Sequence, residues 1–163
     1  MRALALVAAI ILVLDQASKF YVVHTLNLIE VGRIDVYPPF LNFIMAWNQG
    51  INFGVFASNA DWARWALIGV SLAISVAVVI WAARRGEHWF SVGAGLVVGG
   101  ALGNVIDRVQ YGAVADFLNM SCCGINNPFV FNIADIAIFA GAALLILMSG
   151  DKKDLEATKG DNA

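Results

Sequence analysis

Charge is scarce in this 163-residue chain: Asp, Glu, Lys and Arg make up 13% of it, against 60% hydrophobic residues. Soluble domains carry about 25% charged residues, so water is excluded as the main solvent of most of this surface. A formal net charge of −2 gives no basic field, which argues against nucleic acid as a partner. Cysteine is limited to the neighbours Cys122 and Cys123, too close along the chain for an ordinary disulfide and read as packing residues. There is no GxSxG, no His/Cys/Glu set with zinc-ligand spacing, and the glycine run GALGN lacks the Lys of a phosphate loop. Metal, nucleotide and serine-hydrolase chemistry are therefore not expected.

What the chain has is long apolar runs. A helix crossing a bilayer needs about 20 of them in a row, and four windows qualify, at 3–23, 63–83, 90–110 and 129–148. The expected fold class is an all-α membrane protein of four transmembrane helices, one domain over 1–150, followed by a frayed polar tail at 151–163. The first window has the outline of a signal peptide, but its apolar character resumes at Phe20–Val23 and three further windows follow, so an uncleaved helix is the simpler account. In the third window the stretch GAGLVVGGALG offers small residues for close helix packing.

If the helices alternate, Arg2, Arg84, Arg85, Lys152, Lys153 and Lys159 share one side. The positive-inside tendency makes that side cytoplasmic, with both termini inside and the connections 24–62 and 111–128 outside. The first connection reads as short strands broken at Pro38–Pro39, and SNADWARW as the start of a short outer helix capped by Ser58 or Asn59.

Ionisable groups inside a bilayer are expensive, so their depth is informative. Asp15 and Lys19 share a face of the first helix, four residues apart, in its outer half. Asn104, Asp107 and Arg108 share a face at the outer end of the third. Asn132 and Asp135 fall within the first two turns of the fourth, and Asp116 lies in the connection just before it. Taken singly these are ion pairs or interhelical glue; together they gather at one membrane face. Two carboxylates in a partly dry setting can divide acid and base work on a peptide bond. A proton-coupled transporter is a second reading, but it calls for a site near the midplane. A structural scaffold is a third, and it leaves the carboxylates without a task.

Five blocks occur in order: DQASK at 15–19, NQGINFG at 48–54, GGALGNVIDR at 99–108, GAVADF at 112–117 and FNIADIAI at 131–138. With these blocks the chain resembles the lipoprotein signal peptidase (signal peptidase II) family over nearly its whole length outside the tail. The resemblance implies four spans with a small outer β-cradle, in a bacterial inner membrane, with no cofactor. It implies an aspartic endopeptidase whose partners are membrane lipid and prolipoproteins carrying a diacylglyceryl cysteine, cut on the N-terminal side of that cysteine. Carried over by motif, the catalytic residues are Asp116 and Asp135. Asp15, Lys19, Asn48, Asn104, Arg108 and Asn132 are the substrate-binding or supporting positions. Ile51 and Asn52 stand where the family has small residues, a departure confined to the cradle.

Overall fold

The computed structural model describes residues 1–50, 60–122, 124 and 127–160. Helix α1 spans Arg2–Lys19 and runs without a break into a π-helical turn, Phe20–Thr25, followed by a single-turn helix α2, Leu28–Val31. Strands β1, Arg33–Tyr37, and β2, Leu41–Asn48, form a hairpin whose turn holds Pro38 and Pro39, where proline needs no ladder N–H. Helices α3, Ala60–Arg85, and α4, His88–Tyr111, pack antiparallel across Gly86, whose φ of 69° suits a residue without a side chain. Strand β3, Val114–Met120, adds to β2 to give an antiparallel sheet in the order β1-β2-β3, and helix α5 spans Ile133–Gly160.

Among the described residues three helical segments, Arg2–Thr25, Asp61–Arg85 and His88–Tyr111, are long and apolar enough to cross a membrane. In α5 the apolar stretch Ile133–Ser149 is shorter. The protein is thus mostly helical, with a small antiparallel sheet.

Helix α4 is the centre of the bundle. Its glycines remove the side chains that would hold neighbours away: a Cβ at Gly99 would lie 2.6 Å from the Ala8 carbonyl oxygen of α1, and one at Gly100 would collide with the Ala134 carbonyl of α5. At one end Leu4, Ala82, Phe90, Ala94, Val97 and Leu145 form a buried cluster drawn from four helices. At the other, Val22, Leu28 and Phe117 pack beneath the sheet, with Phe43 edge-on to Phe117. Large apolar side chains on α1, α3 and α5, such as Leu6, Val13, Val76 and Phe139, face outward, as expected where the solvent is hydrocarbon.

Several expectations need correction. The window 129–148 begins as extended chain: Phe131 pairs with Leu118 of β3, and the helix starts only at Ile133. Asn132 is consequently the residue before the helix, not part of its first turns. Asp116 lies in a strand, because 114–120 pairs antiparallel with β2 from Leu41–Met120 to Asn48–Val114, with a shift in register between Phe43 and Ala46. The tail does not fray at 151: α5 continues to Gly160 through helix-forming Lys, Leu, Glu and Ala, with no proline to stop it. Cys122 is exposed and not a packing residue. Cys123, the Ser58 and Asn59 caps, and the Ile51–Asn52 departure lie outside the described residues.

Candidate active site

The two aspartates reach the site from different elements and meet over one asparagine. Asp116 projects from β3 and is 2% exposed; its Oδ1 accepts a 2.6 Å hydrogen bond from Asn132 Nδ2, and its Oδ2 a 3.1 Å bond from Asn48 Nδ2 at the end of β2. Asn132 caps α5. Its Oδ1 accepts from the Asp135 backbone N–H at 2.9 Å, and Asp135 Oδ2 accepts from the Asn132 N–H at 3.3 Å. This is the reciprocal capping box of a helix start, with an aspartate in the returning position. Asn104, on α4, donates to Asp135 Oδ1 at 2.9 Å and accepts from Asn132 Nδ2 at 3.2 Å. Both oxygens of Asp116 and one of Asp135 are thus held by asparagine side-chain amides, and Asn132 touches both aspartates.

Beneath this pair lies an ion triad. Lys19 Nζ sits 2.8 Å from Asp15 Oδ2 and 2.7 Å from Asp107 Oδ2, all three side chains almost wholly buried, and a longer 3.4 Å bond reaches Asn104 Oδ1. Burying charge is tolerated only where the remaining lone pairs are satisfied. Here they are: Asp15 Oδ1 accepts from the Ala134 N–H at 3.0 Å, and Asp107 Oδ2 from the Ala115 N–H at 3.1 Å. Ala134 and Ala115 immediately precede Asp135 and Asp116. Gln16 Nε2 adds contacts to Asp15 Oδ2 and Asp107 Oδ1.

Arg108 donates from Nη1 to the Asn104 carbonyl at 3.3 Å and feels the charges of Asp135, Asp107 and Asp116. Among the described residues its Nε is buried without a hydrogen-bond partner.

Desolvation by burial, and next the charge of Asp135, raise the Asp116 carboxyl from an ordinary 3.8 to about 6, against the hydrogen bonds from Asn48 and Asn132. A carboxylic acid that keeps its proton to about pH 6 beside a second carboxylate is equipped for general acid work.

All eight site positions expected from sequence therefore fall into one connected network. Reading by residue type missed Gln16, which touches both structural carboxylates, and the Ala115 and Ala134 amides. Gln16 had a signal in DQASK, being three residues before Lys19, whereas backbone amides leave none. Asp107 pairs with Lys19.

A family model for Signal peptidase (SPase) II matches residues 7–150. The chain belongs to the signal peptidase II family. A lipoprotein signal peptidase of Methylorubrum extorquens is 43% identical over 138 residues, 85% of this chain and 80% of that one. Another, of Methylobacterium radiotolerans, is 39% identical over 168 residues, 99% of this chain and 96% of its own. Among solved structures, a bacterial membrane enzyme determined at 1.9 Å superposes with a TM-score of 0.78 at 27% identity, covering 92% of this chain and 94% of that one. As a signal peptidase II family member, the chain is a peptidase of the bacterial membrane.

Proposed function

We propose that this signal peptidase II family member removes the signal peptide of prolipoproteins by aspartic catalysis, with Asp116 and Asp135 as the catalytic pair. The observation that carries this is Asn132, which ties the two aspartates together: its side chain donates to the Asp116 carboxylate and accepts from the Asp135 backbone N–H, while its own N–H donates to the Asp135 carboxylate. Asp135, ionised, takes a proton from a water whose oxygen adds to the scissile carbonyl carbon. Asp116, protonated, gives its proton to the carbonyl oxygen. In the tetrahedral adduct the C–N bond then breaks as the proton held by Asp135 passes to the leaving nitrogen, and the second hydroxyl proton returns to Asp116. Asn104 and Asn132 fix the orientation of Asp135, Asn48 and Asn132 that of Asp116, and the Arg108 guanidinium beside them is assigned to a substrate carbonyl.

The substrate in this reading is a prolipoprotein whose cysteine carries diacylglycerol, cut just before that cysteine. Its acyl chains confine it to the bilayer and lower the entropic cost of bringing the bond to the pair. Four spans are proposed, the fourth being α5, whose apolar part Ile133–Ser149 is about 26 Å long at a rise of 1.5 Å per residue. The proposed setting is the inner membrane, with both termini cytoplasmic and the aspartates near the outer leaflet, following the distribution of Lys and Arg.

Purified protein incubated with lipidated and unmodified forms of one precursor tests the reading by product mass. The lipidated form should yield a chain beginning at the modified cysteine, and the unmodified form should be cut poorly. Cleavage elsewhere, or none, would sink the activity; equal turnover of both forms would remove the lipid from substrate recognition.

A further inference from the structure

A cavity of about 280 Å³ lies behind the β2–β3 ladder, on the face turned away from the catalytic pair. Strand alternation separates the two: paired residues Trp47 and Ala115 line the cavity, whereas their neighbours Asn48 and Asp116 point to the opposite face. Phe20 and His24 from the π-helical end of the first helix, Trp47 and Tyr111 form aromatic walls, and Lys19 and Asp107 line the cavity beneath them. The rings touch one another: Trp47 and Tyr111 have centroids 5.4 Å apart, and His24 Nε2 lies 3.3 Å from Tyr111 Oη.

The charge below this aromatic wall is negative. Lys19 is engaged by both Asp15 and Asp107, so one cation stands against two carboxylates, and beyond them Arg108 stands against Asp135. An anion entering the cavity would approach carboxylates whose counter-cation is already occupied. A cation would meet the faces of aromatic rings over a net negative floor, the two features that favour ammonium groups.

The approach to the cavity is apolar. Leu6, Ile10, Val13 and Phe20 are all strongly exposed, and their spacing of four, three and seven places them on one stripe of the first helix, which His24 continues. That stripe runs along a membrane-length segment and ends at the cavity mouth, where the helices give way to the sheet. Aromatic side chains at such a boundary are the usual contacts of lipid headgroups.

We propose that this cavity binds the ammonium headgroup of an ethanolamine phospholipid whose acyl chains lie along the Leu6–Phe20 stripe. The occupant is a membrane lipid distinct from the substrate, and it sits on the far side of the sheet from the bond that is cut. It would rest against Lys19 and Asp107, which hold Asn104 and the Ala115 amide.

The test is binding and needs no turnover, so its failure leaves the peptidase reading untouched. Full-length protein in nonionic detergent is titrated with dihexanoyl phosphatidylethanolamine and, separately, with dihexanoyl phosphatidylglycerol, and bound lipid is counted by native mass spectrometry. The ethanolamine lipid should bind about tenfold more tightly, a preference within the range of a partly desolvated cation–π contact. Tyr111→Leu should reduce the preference to about twofold, and Phe20→Leu, at a residue 67% exposed and so safe for folding, should weaken it in the same sense. Soluble phosphoethanolamine, lacking chains, should not displace the lipid at equal concentration. Equal affinity for the two headgroups overturns the proposal, as does a preference unaltered in both variants. Displacement by the soluble compound overturns the lipid as its source.

Discussion

Replacing Asp116 by Asn exchanges one atom of a side chain that is 2% exposed and deletes its proton. In the wild-type protein burial, then the charge of Asp135, hold that carboxyl at about 6 where an ordinary one sits at 3.8. The folded chain therefore binds the proton more tightly than the unfolded chain, so this group's contribution to stability is full below about pH 4 and is lost as the pH rises through about 6. At about 1.4 kcal/mol per pH unit the interval amounts to about 3 kcal/mol. Asn does not titrate. At pH 4 amide and protonated acid each present one acceptor and one donor to Asn48 and Asn132, so the two proteins should unfold alike. At pH 8 the variant should be the more stable by about 3 kcal/mol, or about 6–12 °C in Tm for a chain of this length. Its turnover of lipidated precursor should nevertheless fall by about four orders of magnitude. The measurement is thermal unfolding of both proteins in one detergent from pH 4 to 8, with cleavage followed in parallel. Stability curves that stay parallel across that range would refute the raised carboxyl, and a folded variant that still cleaves would refute its catalytic role.

Asp135→Asn should lose turnover to a similar extent, and the double variant should be scarcely worse than either single one, because two groups sharing one proton act as a unit; multiplied losses would show independent roles. Lys19→Met leaves Asp15 and Asp107 buried without their cation and should destabilise the protein by about 3–5 kcal/mol, read as a lower Tm and reduced accumulation in membranes. An unchanged Tm would show that the triad does not support the fold. Gly100→Ala sets a methyl group against the Ala134 carbonyl and 2.9 Å from Ile138 Cγ1, which should force α4 and α5 apart at a cost of about 1–3 kcal/mol, again seen by thermal unfolding.

The spans were legible because a hydrocarbon solvent admits long apolar helices and little else, and the first three windows coincide with α1, α3 and α4 within a few residues. The start of α5 was not legible. Phe129–Asn132 is as apolar as the helix it precedes, and contacts with β3 that hydropathy does not encode, the Leu118–Phe131 pairing and the Asn119 side chain on the Phe129 carbonyl, hold it extended. Strand β3 was hidden for the same reason: GAVADF reads as a short connection between two helices until β2 supplies its partner. Depth along each helix was enough to gather Asp15, Lys19, Asn104, Arg108, Asn132 and Asp135 at one end, since it follows from rise per residue. Partners were not: whether Asp107 turns toward Lys19 or toward Arg108 depends on how α1 and α4 are rotated about their axes. The close contacts at Gly95 and Gly99 set that rotation, and they appear only once the helices are packed.

The arrangement around Lys19 accounts for why four carboxylates sit so close together when two would serve the chemistry. Asp15 accepts the amide hydrogen of Ala134, and Asp107 that of Ala115. Each non-catalytic carboxylate thus grips the peptide unit next to one proposed catalytic aspartate, and Lys19 ties the two grips together at 2.8 and 2.7 Å. The pair it aligns comes from a strand and a helix terminus, which the Leu118–Phe131 pairing and the Asn132–Asp116 bond also tie together. Hydrophobic packing alone would specify that alignment poorly, because apolar contacts tolerate small shifts, whereas a charge-assisted hydrogen bond lengthened by a few tenths of an ångström loses much of its energy. The desolvation cost of the triad is therefore exchanged for geometric precision between Asp116 and Asp135. Apolar replacements of the same volume would keep the bundle together but leave the two carboxylates free to drift relative to one another.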